Sequence, residues 1–354
     1  MSGGSTAIRG EADTMRVVEF NGAGGPDVLD IVERPIPAPG AGEVRIRVYA
    51  AGVNRPDIQQ RRGLYPPPPD ASPIPGLDVS GIVDAVGPAV TGLCAGDAVC
   101  ALTNGGGYAE YCVVPALQCM PVPRGLSFVE AASLPEVYFT AWNNIIWLGR
   151  LGEGESLLVQ GGTSGVGMAA IQIARKLRNA EVFATAGTDE KLSVCLQTGA
   201  HHAVSYKGAW DDELRALTDG FDVILDAQAG PYTQRQLDLL RPDGRLVFIA
   251  SHLGETAEVN VRQIVRRRLT LTGSTLRPRP PAYKGRIAAE LVRDVWPLLE
   301  TGEMTTRIHQ VFAFGDVRSA HRLMDENRQI GKVVLAVNAE CAETIGRARN
   351  KEKH

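Results

Sequence analysis

An apolar stretch, Leu157-Leu158-Val159-Gln160, runs straight into Gly161-Gly162-Thr163-Ser164-Gly165-Val166-Gly167. Beyond the glycines, Val166, Ala169, Ala170, Ile173, Ala174 and Leu177 recur at helical spacing. No other part of the chain constrains the fold as tightly. A strand that turns on glycines directly into a helix opens a βαβ unit, and such units build parallel sheets with helices on both faces. The same geometry suits a diphosphate: glycines allow the backbone to approach closely, and the helix N-terminus supplies N–H groups and a partial positive charge. Counted from Gly162 to Gly167, the Gly-x-Gly-x-x-Gly pattern carries Ser164 at its middle position, where a hydroxyl can donate to a phosphate. The plainer reading is a tight turn in an α/β protein that holds no dinucleotide.

The surrounding sequence extends the unit. Strands are expected at 156–160, 181–186, 203–205, 221–226 and 244–250, with helices at 165–178 and 188–198 and others between the later strands. Before about residue 125 the texture is different: short β-branched segments such as Arg45-Ile46-Arg47-Val48 alternate polar with apolar residues, broken by Pro66-Pro67-Pro68-Pro69 and Gly105-Gly106-Gly107. Further strands are expected at 79–86 and 98–102, and the region reads as an all-β, barrel-like domain. An apolar run at 137–147 predicts a helix. After residue 273 come a long helix at 282–300, a strand at 308–312, a helix at 315–325 and a strand at 332–337. The expected organisation is a disordered extension (1–14), a β domain (15–136 and 274–338), an inserted α/β domain (137–273) and a frayed tail (339–354), with a cleft between the two halves.

Composition removes several classes of function. The 354 residues carry a formal net charge of −3, so bulk charge does not favour nucleic acid or an anionic membrane surface. Arg266-Arg267-Arg268 reads as a solvated face. No stretch of about 20 apolar residues is present, and the N-terminal residues lack the apolar centre of a signal peptide. The six cysteines contain no Cys-x-x-Cys pair and fit a reducing cytosol, where they pack as small hydrophobes.

The second strand of the α/β unit ends in Thr185-Ala186-Gly187-Thr188, without the carboxylate that NAD sites place there to hold the ribose hydroxyls. Lys191 lies one helical turn further on and Tyr206 follows the third strand, an arrangement that would admit the 2′-phosphate of NADPH. Asp189 and Glu190 are the contrary feature.

Several separated motifs then converge on one family. They are Gly24-Gly25-Pro26-Asp27-Val28-Leu29, Asn54-Arg55-Pro56-Asp57 running on to Tyr65-Pro66, Pro75-Gly76-Leu77-Asp78-Val79-Ser80-Gly81, Pro135-Glu136 with Thr140-Ala141-Trp142, Gly161 to Gly167, and Asn327 to Gly331 followed by Lys332-Val333-Val334. In this order they resemble the zinc-free quinone oxidoreductases of the medium-chain dehydrogenase/reductase superfamily, most of all the tumour-suppressor-inducible branch. The resemblance implies a GroES-like β-barrel catalytic domain with an inserted Rossmann domain (a doubly wound parallel sheet), and homodimers paired through the edge strand near 269–273. It implies cofactor contacts at Tyr65, Thr140, Gly162, Ser164, Gly165, Val166, Gly167, Gly187, Thr188, Lys191, Tyr206, Ser251 and Asn327. It places Tyr65 beside the nicotinamide, as a hydrogen-bond donor to the oxygen being reduced, and Asn54 and Asp57 in the active-site loop as ordering or substrate-binding groups. Asn54 and Leu77 stand where zinc-dependent relatives carry ligands, and neither suits zinc.

The implied activity is NADPH-dependent reduction of a small quinone or enone by hydride transfer without a metal. Two other readings stay open. One is a 2-enoyl thioester reductase, for which Arg277, Arg279 and Lys284 would meet the carrier at the cleft mouth, although Pro278, Pro280 and Pro281 suggest an ordinary rigid loop. The other is a non-catalytic NADPH-binding protein of the crystallin or RNA-binding kind, for which no basic stripe with aromatics is present.

Overall fold

A computed structural model describes residues 14–69 and 71–338. The expected extension and tail lie outside the described residues, except that Thr14 already opens the first strand. That strand, β1 (Thr14–Phe20), pairs antiparallel with β2 (Leu29–Pro35). The chain continues through β3 (Glu43–Val53), a short helix (Arg55–Arg61), β4 (Asp78–Val86), β5 (Ala98–Leu102), β6 (Tyr111–Pro115) and β7 (Cys119–Pro121). The polar–apolar alternation seen at Arg45 to Val48 is real: Val44, Ile46 and Val48 are buried in a core with Leu29, Val79, Val99 and Val114.

The second unit is the parallel sheet. Its strands are β8 (Ser156–Val159), β9 (Glu181–Ala186), β10 (His202–Ser205), β11 (Phe221–Asp226), β12 (Leu240–Phe248) and β13 (Thr270–Gly273), in the spatial order β10-β9-β8-β11-β12-β13. All five pairings are parallel. The strand order therefore reverses between β8 and β11, and in open α/β sheets the crevice at that point, beyond the carboxyl ends of the strands, receives ligands. The glycine turn follows β8 and sits there. β13 is the outer edge of the sheet.

The chain then returns. β14 (Ile308–Ala313) and β15 (Lys332–Ala336) complete a seven-stranded sheet of order β14-β15-β3-β4-β5-β7, with β6 paired to β3. Closure of β15 on β3 brings residues 50–53 against 333–336, so the tail supplies one wall of the β domain.

Two helices differ from expectation for local reasons. The run at 137–147 is not one α-helix: Pro135–Ala141 is α-helical and Trp142–Leu148 widens into a π-helix. Its asparagines are anchored outside the helix, since Ser274 Oγ donates to Asn144 Oδ1 at 2.7 Å and Tyr283 Oη donates to Asn143 Oδ1 at 2.5 Å. Such widened turns are frequent at functional sites. The long helix near 282–300 divides into Pro281–Asp294 and Trp296–Glu300. Pro297 explains the break, because it has no N–H to donate and its ring crowds the carbonyl four residues earlier. Ile287, Leu291 and Trp296 from these helices share a core with Leu157, Val159, Ala170 and Ile173 of the Rossmann unit, which ties the two halves together below the cleft.

Candidate active site

The glycine turn is shaped by space and by dihedral angle. Gly161 has φ +83°, a left-handed conformation that favours glycine, and nothing lies within 4 Å of where its Cβ would be. A Cβ on Gly167 would come within 2.5 Å of the Gly161 carbonyl, and one on Gly162 within 2.7 Å of Cys195 Sγ. The turn thus folds back on itself and presses onto the helix that carries Cys195 and onto Ala184 of β9, 2.8 Å from the same Gly162 Cβ position. Ser164 caps the helix Gly165–Arg178: its Oγ accepts from Gly167 N at 3.0 Å and donates to Gly161 O at 2.9 Å. The Ser164 hydroxyl thus bonds the turn itself. Gly165 and Val166 form the helix's first turn, whose N–H groups have no acceptor within the helix. These features fit a pyrophosphate held by backbone amides.

Gly331 N donates to Thr163 O at 3.0 Å, joining the turn to the closing segment of the chain. Along this seam the residues expected at the ribose end come together. Thr188 caps the helix Asp189–Thr198 by accepting from Lys191 N at 3.3 Å. Lys191 Nζ donates to Asn327 O at 3.0 Å, and Arg55 Nη2 donates to Asn327 Oδ1 at 2.9 Å. A lysine ammonium has three donors, so this latch leaves capacity for a phosphate. Partial burial lowers the Lys191 pKa from its ordinary value. Tyr206 lies across Gly187, with its hydroxyl where a Cβ would stand. Asp189 and Glu190 are exposed at the helix start. Thr140 is half-buried on the helix Pro135–Ala141, and its carbonyl accepts from Asn144 Nδ2 at 2.7 Å. Ser251 is exposed in the loop after β12.

At the centre of the interface is a knot that the sequence did not single out. Lys332 opens β15 with its ammonium buried, bonded to Asn54 Oδ1 at 2.5 Å and Asp78 Oδ2 at 2.8 Å. Asp78 also accepts from Asn54 Nδ2 at 2.8 Å and from the Glu136 backbone N–H at 2.5 Å. The Lys332 stem packs under Gly165, whose Cβ would fall 2.9 Å from Lys332 Cδ. Asn54, Asp78, Glu136 and Lys332 thereby join four separate elements. Asp57 is fully buried beside them, and both its oxygens are engaged: Asn54 N and Tyr108 Oη donate to Oδ2 at 2.8 and 3.2 Å, and Gly76 N to Oδ1 at 3.1 Å. It orders the loop rather than facing substrate. Burial pushes its pKa up to about 6.

Zinc does not fit this donor set. Asn54 and Leu77 occupy the positions that the resemblance assigns to ligands; the amide oxygen of Asn54 is held by an ammonium and Leu77 is buried apolar surface. Among the described residues no group of three or more His, Cys, Asp or Glu side chains converges.

Tyr65 is half-buried, its hydroxyl 3.2 Å from Thr275 Oγ1 and its ring facing the Arg277 guanidinium at 5.6 Å. Arg277 and Lys284 are not solvated groups at a cleft mouth: they are 5% and 0% exposed. Arg279 is the exposed one, lying over the Tyr283 ring at 4.9 Å. Glu136, missed as a candidate, begins the helix Pro135–Ala141. Burial, and next the Asp78 carboxylate, push its pKa up to about 8, so it holds a proton at neutral pH. A glutamate directly after a helix-opening proline was the available signal.

Residues 40–124 match the alcohol dehydrogenase GroES-like domain family and residues 165–292 the zinc-binding dehydrogenase family. The synaptic vesicle membrane protein VAT-1 homolog of Rattus norvegicus is 33% identical over 347 residues, covering 93% of this chain and 86% of that protein. The quinone oxidoreductase of Lama guanicoe is 33% identical over 327 residues, covering 91% and 97%. Among solved structures, the CurK enoyl reductase superposes with a TM-score of 0.80 at 27% identity over 92% of this chain and 99% of that one.

Proposed function

This chain belongs to the medium-chain dehydrogenase/reductase superfamily, with its GroES-like and Rossmann-like halves and its nicotinamide-dependent oxidoreductase chemistry, and we propose that it reduces quinones with NADPH by hydride transfer without a metal. The observation that carries this reading is the Lys332–Asn54–Asp78 knot. Asn54, at the position that the resemblance assigns to a zinc ligand, is bonded instead to the Lys332 ammonium, so a substrate oxygen would gain no metal there to polarise it. Acceptors that delocalise the incoming charge themselves, as quinones do, suit such a cleft.

The cofactor supplies the hydride when bound. The chain's own groups bind and orient. The amides of Gly165 and Val166 hold the diphosphate, Lys191 and Tyr206 meet the 2′-phosphate, and Thr140 with the Asn327 segment lines the cofactor's path. Gly162 and Gly167 let the turn close, and Gly187, Thr188 and Ser251 flank the ribose end. Tyr65 donates a hydrogen bond to the oxygen that gains charge. Asn54 and Asp57 hold the loop that carries Tyr65. No helix of the described residues is long and apolar enough to cross a membrane, and we expect a cytoplasmic homodimer paired through the free edge of β13.

The likeness to an enoyl reductase structure keeps 2-enoyl thioester reduction as the second reading. A panel scored by NADPH and NADH oxidation separates them. We expect turnover of 1,2-naphthoquinone with NADPH, little with crotonyl-CoA, and no loss on adding a chelator. Turnover of crotonyl-CoA alone would transfer the assignment to enoyl reduction, and turnover of neither acceptor would remove quinone reduction.

A further inference from the structure

The helix Pro135–Ala141 leaves one face open. Pro135, Val137, Tyr138, Phe139 and Ala141 are buried, whereas Glu136 and Thr140 are half-buried. Those two stand four residues apart and so share a face of the helix. Three parts of the chain meet there. The Glu136 N–H donates to Asp78 of β4 at 2.5 Å, and Asp78 in turn accepts from Lys332 of β15 and from Asn54. One residue further on, Val137 packs on the phosphate turn, since a Cβ on Gly165 would fall 2.7 Å from Val137 Cγ1. Glu136 therefore sits where the β domain, the returning tail and the start of the Rossmann helix join, on the face that it shares with Thr140, which lines the cofactor's path in the reading above.

Its carboxyl differs from the other acids of this region. Asp57 and Asp78 are 1% and 0% exposed, and each is held by several donors. The Glu136 carboxyl has no hydrogen bond or ion pair with any described residue, and its oxygens are not shut off from solvent. Desolvation is the largest influence on its protonation and raises its pKa; Asp78 and Asp57 act in the same sense, Lys332 and Arg277 against it, and the outcome is a value of about 8. A protonated carboxyl has one O–H to donate, and here no acceptor in the protein takes it. A carboxylic acid kept neutral at the working pH, with its O–H unspent, is equipped to donate a proton.

We propose that Glu136 is a catalytic acid, giving its proton to the anion formed once the acceptor has taken up the hydride. This deepens the quinone-reductase reading and rests on it. The quinone gains a hydrogen with its electron pair, the nicotinamide being oxidised, and becomes a hydroquinone monoanion. The Glu136 O–H bond then breaks, a new O–H bond forms on the quinol oxygen, and the carboxylate left behind takes a proton from water. A phenolic oxygen, with an ordinary pKa of about 10, is the stronger base of the two, so the proton moves towards the quinol. Tyr65 stabilises the charge as it develops, and Glu136 removes it.

The test is kcat for 1,2-naphthoquinone with saturating NADPH, measured on the full-length protein between about pH 6 and pH 10. Wild type should hold a level kcat at low pH and lose about tenfold per pH unit above about 8, as the acid ionises. Glu136→Gln should turn over about 100-fold more slowly at neutral pH, the lower end of what a positioned acid contributes, with an unchanged KM for NADPH and no descending limb. Glu136→Asp, which keeps the acid on a shorter stem, should recover part of the rate together with the limb. A wild-type kcat that stays level throughout overturns the proposal whatever the variants do. So does a Glu136→Gln protein that retains the limb or loses less than about tenfold. A second readout needs no turnover: infrared difference spectra across the same pH range should show, in wild type and not in Glu136→Gln, the loss of the C=O stretch of a protonated carboxyl. Without that signal the residue has no proton to give, and the proposal falls. No quinone turnover in wild type that shows the signal defeats the functional reading and the proposal with it, whereas quinone turnover without the descending limb defeats the acid alone.

Discussion

Replacing Lys332 by Met tests whether the knot at the domain interface is a buried ion pair that the fold depends on. The Lys332 and Asp78 side chains are 6% and 0% exposed, with Nζ 2.8 Å from Oδ2. The variant keeps the length of the stem under Gly165 but removes the charge. It strands the Asp78 carboxylate among Asn54 and the Glu136 amide and leaves Asn54 Oδ1 without its donor. Breaking a buried pair by deleting one partner costs about 3–5 kcal/mol, against about 0–1 for an exposed pair. With a urea m-value of about 3 kcal/mol/M, the midpoint should fall by roughly 1 M or more.

The double variant Lys332→Met/Asp78→Leu sharpens the test. It removes both charges, so the stranded-carboxylate cost disappears. What remains is the unpaired Glu136 N–H and the Asn54 side chain, about 1–3 kcal/mol per buried group. The double should therefore be no less stable than Lys332→Met alone, far from the sum of the singles. Urea unfolding followed by circular dichroism measures all of these proteins. A loss below about 1 kcal/mol in Lys332→Met would place the pair in the exposed class. Additivity within about 0.5 kcal/mol would show that the two groups do not interact. Either result refutes the reasoning.

Lys191→Ala should raise the KM for NADPH by about 10- to 100-fold, the range for one charge-assisted hydrogen bond, with little change for NADH; equal effects on both would remove Lys191 from the phosphate position. Tyr65→Phe should lower kcat for quinones by about tenfold or more while leaving NADPH affinity unchanged, and an unaltered kcat would reduce Tyr65 to packing. Glu136 sets a pH dependence. Its folded pKa of about 8 lies above the ordinary carboxyl value of 4.5, so between these values the unfolded chain releases a proton that the folded chain retains. Its contribution to stability is therefore fully present below about pH 4.5 and is lost progressively as pH rises towards 8. Glu136→Gln should grow more stable relative to wild type across that window, as read from urea midpoints at pH 5, 6.5 and 8. A constant difference would show that the carboxyl is ionised in the folded protein.

Much of the architecture was legible because it is written in local patterns. The strand–turn–helix from Ser156 to Arg178 lies where periodicity and glycines placed it, and so do β5, β9 and β11. In each, a run of apolar residues meets a turn signal within a few positions, and neighbours along the chain suffice to decide the element. The π-helix at Trp142–Leu148 was not legible, because two asparagines in an apolar run look ordinary until Ser274 and Tyr283 are found bonded to them.

The candidate site divides along the same line. Sequence alone determined the glycine turn, the absence of a carboxylate at the end of β9 with Lys191 one helical turn further on, and the unsuitability of Asn54 and Leu77 for zinc, since each is a matter of residue type at a position. Tertiary structure alone decided that Ser164 Oγ lies against the Gly161 carbonyl, that Lys191 meets Asn327, and that Lys332, a lone charge in an apolar strand, is buried against Asp78. It also decided that Arg277, which the neighbouring prolines made look like a loop residue, is buried with one donor unused. The reason is that the cost of burying a charge depends on which groups stand within a few ångströms of it. For Lys332 and Arg277 those groups come from segments far apart in the chain, and for Lys332 they meet only when the tail closes on β3.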